Sequence, residues 1–106
     1  MTATVKVLRT SLVFGGWKGS LDIQGGVLHI TGVDSSQRLN VDTTEVKRYS
    51  YNGNNGLWVI RMKGGTRLRL QTSGAILSAD RSAAGKAATE AIHDLLSKTN
   101  ARGFSI

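Results

Sequence analysis

Apolar and polar residues alternate along most of the first three quarters of the chain. The segment 60–70, IRMKGGTRLRL, is the clearest case. Side chains on a strand point to opposite faces with period two, so Ile60 and Met62 share one face and Leu68 and Leu70 share a face of the next strand. A hairpin that buries all four on one face places Met62 opposite Leu68 and Ile60 opposite Leu70.

The same register predicts a cluster of cations on the other face of this hairpin. Lys63 would lie opposite Arg67 and Arg61 opposite Arg69, with a three-residue loop at 64–66 in which glycine supplies the positive φ. Like charges directly opposite each other destabilise a sheet by about 0.2 to 1 kcal/mol per pair. The side chains could extend into water over apolar surface, or they could form a site for an anionic ligand.

Other segments also predict strands, and the 13 glycines and absence of proline suit strands joined by tight turns. In LDIQGGVLHI, residues 21–30, a two-residue glycine turn brings Leu21 and Ile23 opposite Ile30 and Leu28. We expect seven strands between about residues 4 and 72, the others lying in the segments TVKVLRTSLVF (4–14, with a possible bulge), RLNVD (38–42) and VKRYSY (46–51) and in the basic hairpin.

The pattern changes to a helical one near the C-terminus. Between about residues 82 and 98, apolar residues recur at spacings of three and four, which predicts one amphipathic helix. Asp80 or Ser82 would cap its start, and Asn100 or Gly103 would end it. We therefore expect one domain over residues 1–106, with a connector at 73–81 and a short tail at 99–106. The predicted apolar stripe consists of Ala84, Ala88, Ala91, Ile92, Leu95 and Leu96.

Seven short antiparallel strands followed by one C-terminal helix resemble the pleckstrin-homology-like (PH-like) superfamily. Residues 26–72, GVLHITGVDSSQRLNVDTTEVKRYSYNGNNGLWVIRMKGGTRLRLQT, are similar to its bacterial and phage members. The resemblance implies a seven-stranded antiparallel barrel of two near-orthogonal sheets, capped by the helix. It also implies a domain that binds peptides, proteins or lipid headgroups and is seldom an enzyme. Only Lys18 lies near the first strand-to-strand loop, which argues against phosphoinositide binding.

Charge and composition narrow the choice of partner. The chain has 14 Lys and Arg against 7 Asp and Glu, a net charge of +7 and a pI near 10.4, which favours acidic partners. The absence of cysteine excludes disulfides and thiolate metal sites. Lys6 and Arg9 interrupt the first residues and no apolar run is long enough to span a bilayer, so we expect no signal peptide and a soluble cytoplasmic protein.

Few residues suit catalysis. His29 is expected opposite Asp22. His93 is expected on the polar side of the helix, where its neighbour in sequence does not face it. Neither GGWKGS (15–20) nor AAGKAAT (83–89) matches the phosphate-loop pattern. We predict a non-enzymatic protein without cofactor or metal, in which Trp17 and Trp58 anchor the core or its rim.

The basic face is the candidate site. If Tyr51 and Trp58 share the buried face, Arg48 lies opposite Arg61, so that Arg48, Arg61 and Arg69 form a row with two further cations beside it. Three hypotheses remain open: an adaptor for an acidic protein partner or an anionic surface such as a membrane, a nucleic-acid-binding protein, and a self-assembling structural or phage-encoded protein that forms homo-oligomers. The candidate site residues are Arg48, Arg61, Lys63, Arg67 and Arg69.

Overall fold

Alternating segments form strands and the alanine-rich segment forms the helix, as the hydrophobic pattern predicts. The structure, a computed structural model, describes residues 3–8, 16–32, 36–72 and 81–105. The prediction of a mainly β protein with one C-terminal helix is confirmed. The elements are β1 (Ala3–Leu8), β2 (Trp17–Gln24), β3 (Val27–Gly32), β4 (Arg38–Asp42), a 3-10 turn (Thr43–Glu45), β5 (Val46–Asn52), β6 (Leu57–Met62), β7 (Arg67–Gln71), α1 (Ala83–Ser97) and β8 (Arg102–Ser105).

The described strands form one open, mixed sheet in the order β4-β3-β2-β1-β7-β6-β5-β8. All neighbours are antiparallel except β8, which lies parallel to β5. The predicted closed barrel of two near-orthogonal sheets is therefore wrong. A barrel of the seven predicted strands would pair β4 with the outer edge of β5, but β8 occupies that edge, and β4 and β8 do not pair with each other in the described sheet. The tail at 99–106 was expected to follow the helix without a strand, but it supplies β8.

The β2–β3 hairpin has the predicted register. Leu21 lies opposite Ile30 and Ile23 opposite Leu28. Gly25 and Gly26, with φ of +58° and +77°, form the two-residue turn, a geometry that side chains other than glycine rarely adopt. The turn chemistry thus fixes this register.

The β6–β7 hairpin differs from the prediction by a slide of two residues. The backbone N–H of Met62 donates to the carbonyl oxygen of Thr66 at 2.8 Å, and Gly65 supplies the positive φ, at +96°. The three-residue loop is therefore 63–65 rather than 64–66, and Ile60 lies opposite Leu68. Because a slide of two residues keeps every side chain on its face, hydrophobic alternation cannot distinguish the two registers.

One face of the sheet packs on α1. Ser82 caps the helix by accepting the N–H of Gly85 at 3.1 Å, while Asp80 and the rest of segment 73–80 lie outside the described residues, as does the second half of the first predicted strand (9–14). The helix ends at Ser97 and not at Asn100 or Gly103. Ala84, predicted in the apolar stripe, is exposed. The buried apolar residues are Ala3, Val5, Leu21, Leu28, Ile30, Val41, Val46, Trp58, Ile60, Leu70, Ala88, Ile92 and Leu96.

The sheet curves around this core. Strands lie about 4.8 Å apart, so eight strands in a flat sheet would span about 34 Å, whereas the molecule measures 31 × 29 × 29 Å. The 3-10 turn connects two hairpin turns at one end of the sheet. Thr43 donates its backbone N–H and its hydroxyl to the carbonyl of Gly26, at 3.1 and 2.7 Å, and the N–H of Lys63 donates to the carbonyl of Glu45 at 2.8 Å.

Candidate functional site

Four arginines lie side by side on the outer face of the sheet, one on each of four neighbouring strands. Arg102 pairs with Arg48, Arg48 with Arg61, and Arg61 with Arg67. We call these four residues the arginine row. Neighbouring strands lie about 4.8 Å apart, so the backbone positions of the row extend over about 14 Å.

A β-bulge in β5 puts Arg48 on this face. Val46 is buried and lies opposite Met62, whereas Arg48 is exposed and lies opposite Arg61, so the register shifts by one residue at Lys47. Without the bulge, Val46 and Arg48 would share a face because they are two residues apart. Bulges commonly redirect a side chain in this way. The local irregularity therefore aligns the second member of the arginine row with the others.

The row differs in part from the predicted one. Arg48 lies opposite Arg61, as expected, but the slide in the next hairpin brings Arg67 into the third position. Arg69 lies opposite Val59 and Leu8 on the same face, beside the row. Lys63 is in the β6–β7 turn and does not belong to the row.

Lys63 lies instead near Asp42, the cap of the 3-10 turn. Hydrogen bonds from the hydroxyl and the backbone N–H of Thr44 lower the pKa of Asp42, and the charge of Lys63 acts in the same direction. This electrostatic interaction belongs to the corner of the sheet rather than to the basic face.

Sequence reasoning missed Arg102. Its strand, β8, has four residues, one of them a glycine, and alternation cannot be recognised over so short a segment. Gly103 contacts the phenol ring of Tyr49, and a Cβ at position 103 would overlap its hydroxyl. The close approach of β8 to β5 thus depends on the one residue type that lacks a side chain.

The arginine row borders a depression of about 380 Å³. It is lined by the four arginines together with Tyr49, Ser50, Val59 and Gly103. This volume lies within the range typical of ligand sites, about 300 to 1,000 Å³. The depression combines guanidinium groups with the hydroxyl of Ser50 and an apolar side chain, and can therefore accept an anionic group attached to a partly apolar ligand.

No acidic side chain neutralises the row in the described part of the chain. The ion pair found there joins Lys98 to Asp94 on α1, at 3.0 Å. Each guanidinium carries five N–H donors and no acceptor. Each of the three neighbouring pairs in the row destabilises the sheet by about 0.2 to 1 kcal/mol. Arg69 adds a buried Nε that has no hydrogen-bond partner within the described residues. The row is thus a feature that the fold does not require for stability.

The two histidines make contacts of a structural kind. His29 lies opposite Asp22 as predicted, but its Nδ1 is 2.8 Å from Oδ1 of Asn40 on β4, while Asp22 accepts a hydrogen bond from Gln24. His93 was expected on the polar side of α1. It is half-buried instead, with its ring centroid 4.5 Å from that of Trp58, and burial lowers its pKa. No group of three or more metal-ligating side chains occurs among the residues described.

Trp58 is a core residue with a hydrogen-bonded indole. It is fully buried, and its Nε1–H donates to Oγ1 of Thr72 at 2.8 Å. The hydroxyl of Thr89 on α1 lies 2.9 Å from that of Thr72 and 3.1 Å from the carbonyl oxygen of Gly85. These contacts join the sheet to the helix, in agreement with a structural role for Trp58.

Comparisons with known proteins place no constraint on this site. No protein-family model and no curated protein sequence matches the chain. Within the segments that the structure describes, no helix has the length and apolar character needed to cross a membrane.

Proposed function

We propose that this protein is a non-enzymatic binding module that engages an acidic protein partner through the arginine row. The observation that carries the proposal is the alignment of four arginines on four neighbouring strands, without an acidic counterpart in the described residues. A partner that supplies carboxylates would replace three repulsive contacts with charge-assisted hydrogen bonds, which are stronger than neutral ones.

An acidic protein fits this surface better than a nucleic acid. Arginine is enriched at protein interfaces, and the depression mixes guanidinium groups with the hydroxyl of Ser50 and the apolar side chain of Val59. Proteins that bind single-stranded nucleic acid stack bases on exposed aromatic rings. In this chain Tyr49, Tyr51 and Trp17 pack against the core cluster, and Trp58 belongs to it. The test below distinguishes an acidic protein from an anionic surface and from a nucleic acid.

We also propose that the domain is a variant of the PH-like fold. Two antiparallel meanders, β1 to β4 and β5 to β7, are joined by the pairing of β1 with β7 and followed by one helix, and this order supports the assignment. The open sheet and the additional parallel strand are its departures from the pattern that the superfamily implies.

The test compares two triple variants that lose the same number of positive charges. The first replaces Arg48, Arg61 and Arg67 by Gln. The matched control replaces Lys18, Arg81 and Lys86, three exposed cations outside the row, by Gln. Binding of fluorescent poly-glutamate, single-stranded DNA, duplex DNA and anionic vesicles is measured by anisotropy or sedimentation at several salt concentrations.

The proposal predicts that wild type and the control variant bind poly-glutamate and that the row variant binds at least tenfold more weakly. Equal loss in both variants would mean that net charge, and not the row, governs binding. Binding to DNA or vesicles with none to poly-glutamate would replace the acidic-protein proposal with the corresponding alternative.

A further inference from the structure

Strand β4 forms the edge of the sheet opposite to the arginine row. Among the residues that the structure describes, it is hydrogen-bonded on one side, to β3, and its side chains at positions 38, 40 and 42 are exposed. An edge strand exposes a row of backbone N–H and C=O groups that can pair with another chain, and proteins usually protect such edges with charges or proline. The charges on β4 are Arg38 and Asp42, of opposite sign, and the chain has no proline.

Two hydrogen bonds just beyond the ends of β4 show which of its residues direct their backbone groups toward β3. The N–H of Gly32 donates to the carbonyl of Gln37 at 2.7 Å, and the N–H of Thr43 donates to the carbonyl of Gly26 at 3.1 Å. Odd-numbered residues therefore direct their backbone groups toward β3, and even-numbered residues direct theirs toward the open side. Arg38 and Asn40 thus offer both their N–H and C=O groups for pairing, and Asp42 offers its N–H, because the carbonyl of an N-cap residue accepts the first bond of its helical turn.

A two-fold axis through Asn40 makes this edge complementary to itself. In that antiparallel register, Asn40 pairs with Asn40 of the second copy, and Arg38 pairs with Asp42 of the second copy on both sides of the axis. A hydrogen-bonded pair can exchange two backbone bonds. The central pair gives two and each flanking pair gives one, from the N–H of Asp42 to the carbonyl of Arg38, so the three pairs give about four. On the inner face, Leu39, which is half-buried in one copy, meets Val41 of the other.

The other edge of the sheet does not offer such a match. Antiparallel pairing of β8 with its own copy would bring two arginine rows together on one face, because each β8 carries Arg102 beside Arg48. Charge therefore opposes self-pairing at β8 and favours it at β4.

We propose that β4 is a self-association edge, on which a second copy of this chain pairs antiparallel about Asn40 to form a two-fold dimer with a continuous sheet. Such an interface is isologous, because the same surface is used by both copies. The dimer keeps both arginine rows at its two far ends, so the inference does not depend on the proposed function of those rows.

The experiment uses two charge reversals, Arg38→Glu and Asp42→Arg, on separate chains. Each variant alone places like charges opposite each other at both ends of the interface. An equimolar mixture restores both attractive pairs, since the reversed residue at position 38 of one copy then meets the reversed residue at position 42 of the other. Mass is followed by sedimentation equilibrium from micromolar to millimolar protein, starting from the 11.3 kDa chain.

The mass of the wild type is expected to approach twice the chain mass as the concentration rises. Each charge reversal should raise the dissociation constant of the dimer at least tenfold. In the equimolar mixture the dissociation constant should return to within about threefold of the wild-type value. Circular dichroism checks folding, because Asp42 also caps the 3-10 turn. A second variant, Asn40→Pro, avoids that cap. Edge strands tolerate proline where the N–H faces solvent, and this change should abolish the dimer without unfolding the chain.

Three results would overturn the inference. They are a wild type that stays monomeric at millimolar concentration, a dimer that survives Asn40→Pro, and folded reversed variants that do not associate on mixing. The triple Gln variant of the arginine row is expected to dimerise as the wild type does, which separates this interface from the proposed binding face.

Discussion

Replacing Thr72 with valine tests whether the buried hydrogen bonds between sheet and helix matter for stability. Thr72 and Trp58 are both fully buried, and the indole N–H donates to the Thr72 hydroxyl at 2.8 Å. Valine has nearly the same shape as threonine but no acceptor. The variant therefore leaves the N–H of Trp58 buried without a partner and leaves the packing of the side chain almost unchanged.

The expected loss of stability in Thr72→Val depends on which hydrogen bonds Trp58 and Thr89 keep in the variant. A buried donor without an acceptor costs about 1 to 3 kcal/mol. Thr89 keeps the carbonyl of Gly85 at 3.1 Å, so its hydroxyl does not add a second unsatisfied group. We expect the free energy of unfolding to fall by about 1 to 3 kcal/mol, a large part of the roughly 5 to 15 kcal/mol typical of such domains.

Urea unfolding followed by far-UV circular dichroism measures this change without relying on the fluorescence of Trp58 itself. The matched control is Thr31→Val, the same substitution on the outer face of β3, which should stay within about 0.5 kcal/mol of wild type. In a Trp58→Phe background, which lacks the N–H, Thr72→Val should cost at least about 1 kcal/mol less than in wild type. If both threonine variants lose equally little, the hydrogen bond does not stabilise the fold and the reasoning is refuted.

Three further predictions concern single residues. Arg61 lies between two arginines, so Arg61→Gln should raise the free energy of unfolding by about 0.4 to 2 kcal/mol. A lower free energy of unfolding in urea than that of the Arg81→Gln control, which removes an exposed charge elsewhere, would contradict the like-charge argument. Gly19→Ala places a Cβ 2.7 Å from the carbonyl oxygen of Thr31 and should lower that free energy by about 1 to 3 kcal/mol, whereas Gly64→Ala, with nothing within 4 Å, should leave it nearly unchanged. Burial lowers the pKa of His93 below 6.5, so the unfolded chain binds the proton more readily and stability should decrease as pH falls below about 6.5. Urea midpoints between pH 5 and 7.5 test this, and a slope unchanged in His93→Leu would show that another group is responsible.

The parts of the fold that the sequence predicts are those that local chemistry determines. The two-residue glycine turn at Gly25 and Gly26 fixes the β2–β3 register, and the apolar stripe locates α1. The register of β6 and β7 was not determined in this way, because a slide of two residues leaves the same side chains on the same faces. Local hydrophobic patterns also could not predict whether the sheet is open or closed, because this depends on where β8 lies.

The candidate site shows the same division. Alternation alone would have put Val46 and Arg48 on one face, but the pairing of Tyr51 with Trp58 fixed the register beyond the bulge, so the contact between Arg48 and Arg61 could be predicted. Arg67 could not be placed opposite Arg61 without the slide, and Arg102 required the tertiary position of a four-residue strand. The charge of the face was thus visible in the sequence, whereas the alignment of its members was not.

The position of β1 within the sheet has a consequence for how the protein folds during synthesis. β1 pairs with β2, which follows it in the chain, and with β7, where Lys6 meets Gln71. Closing that long loop costs about 2 to 3 kcal/mol more entropy than closing a tight hairpin. Ribosomes add roughly 5 to 20 residues per second, so about 3 to 13 seconds pass between the synthesis of β1 and that of β7, its second neighbour in the sheet. β1 is synthesised before β2 to β7 and is therefore among the last of these strands to be fully paired, and until then one of its edges is open to other nascent chains.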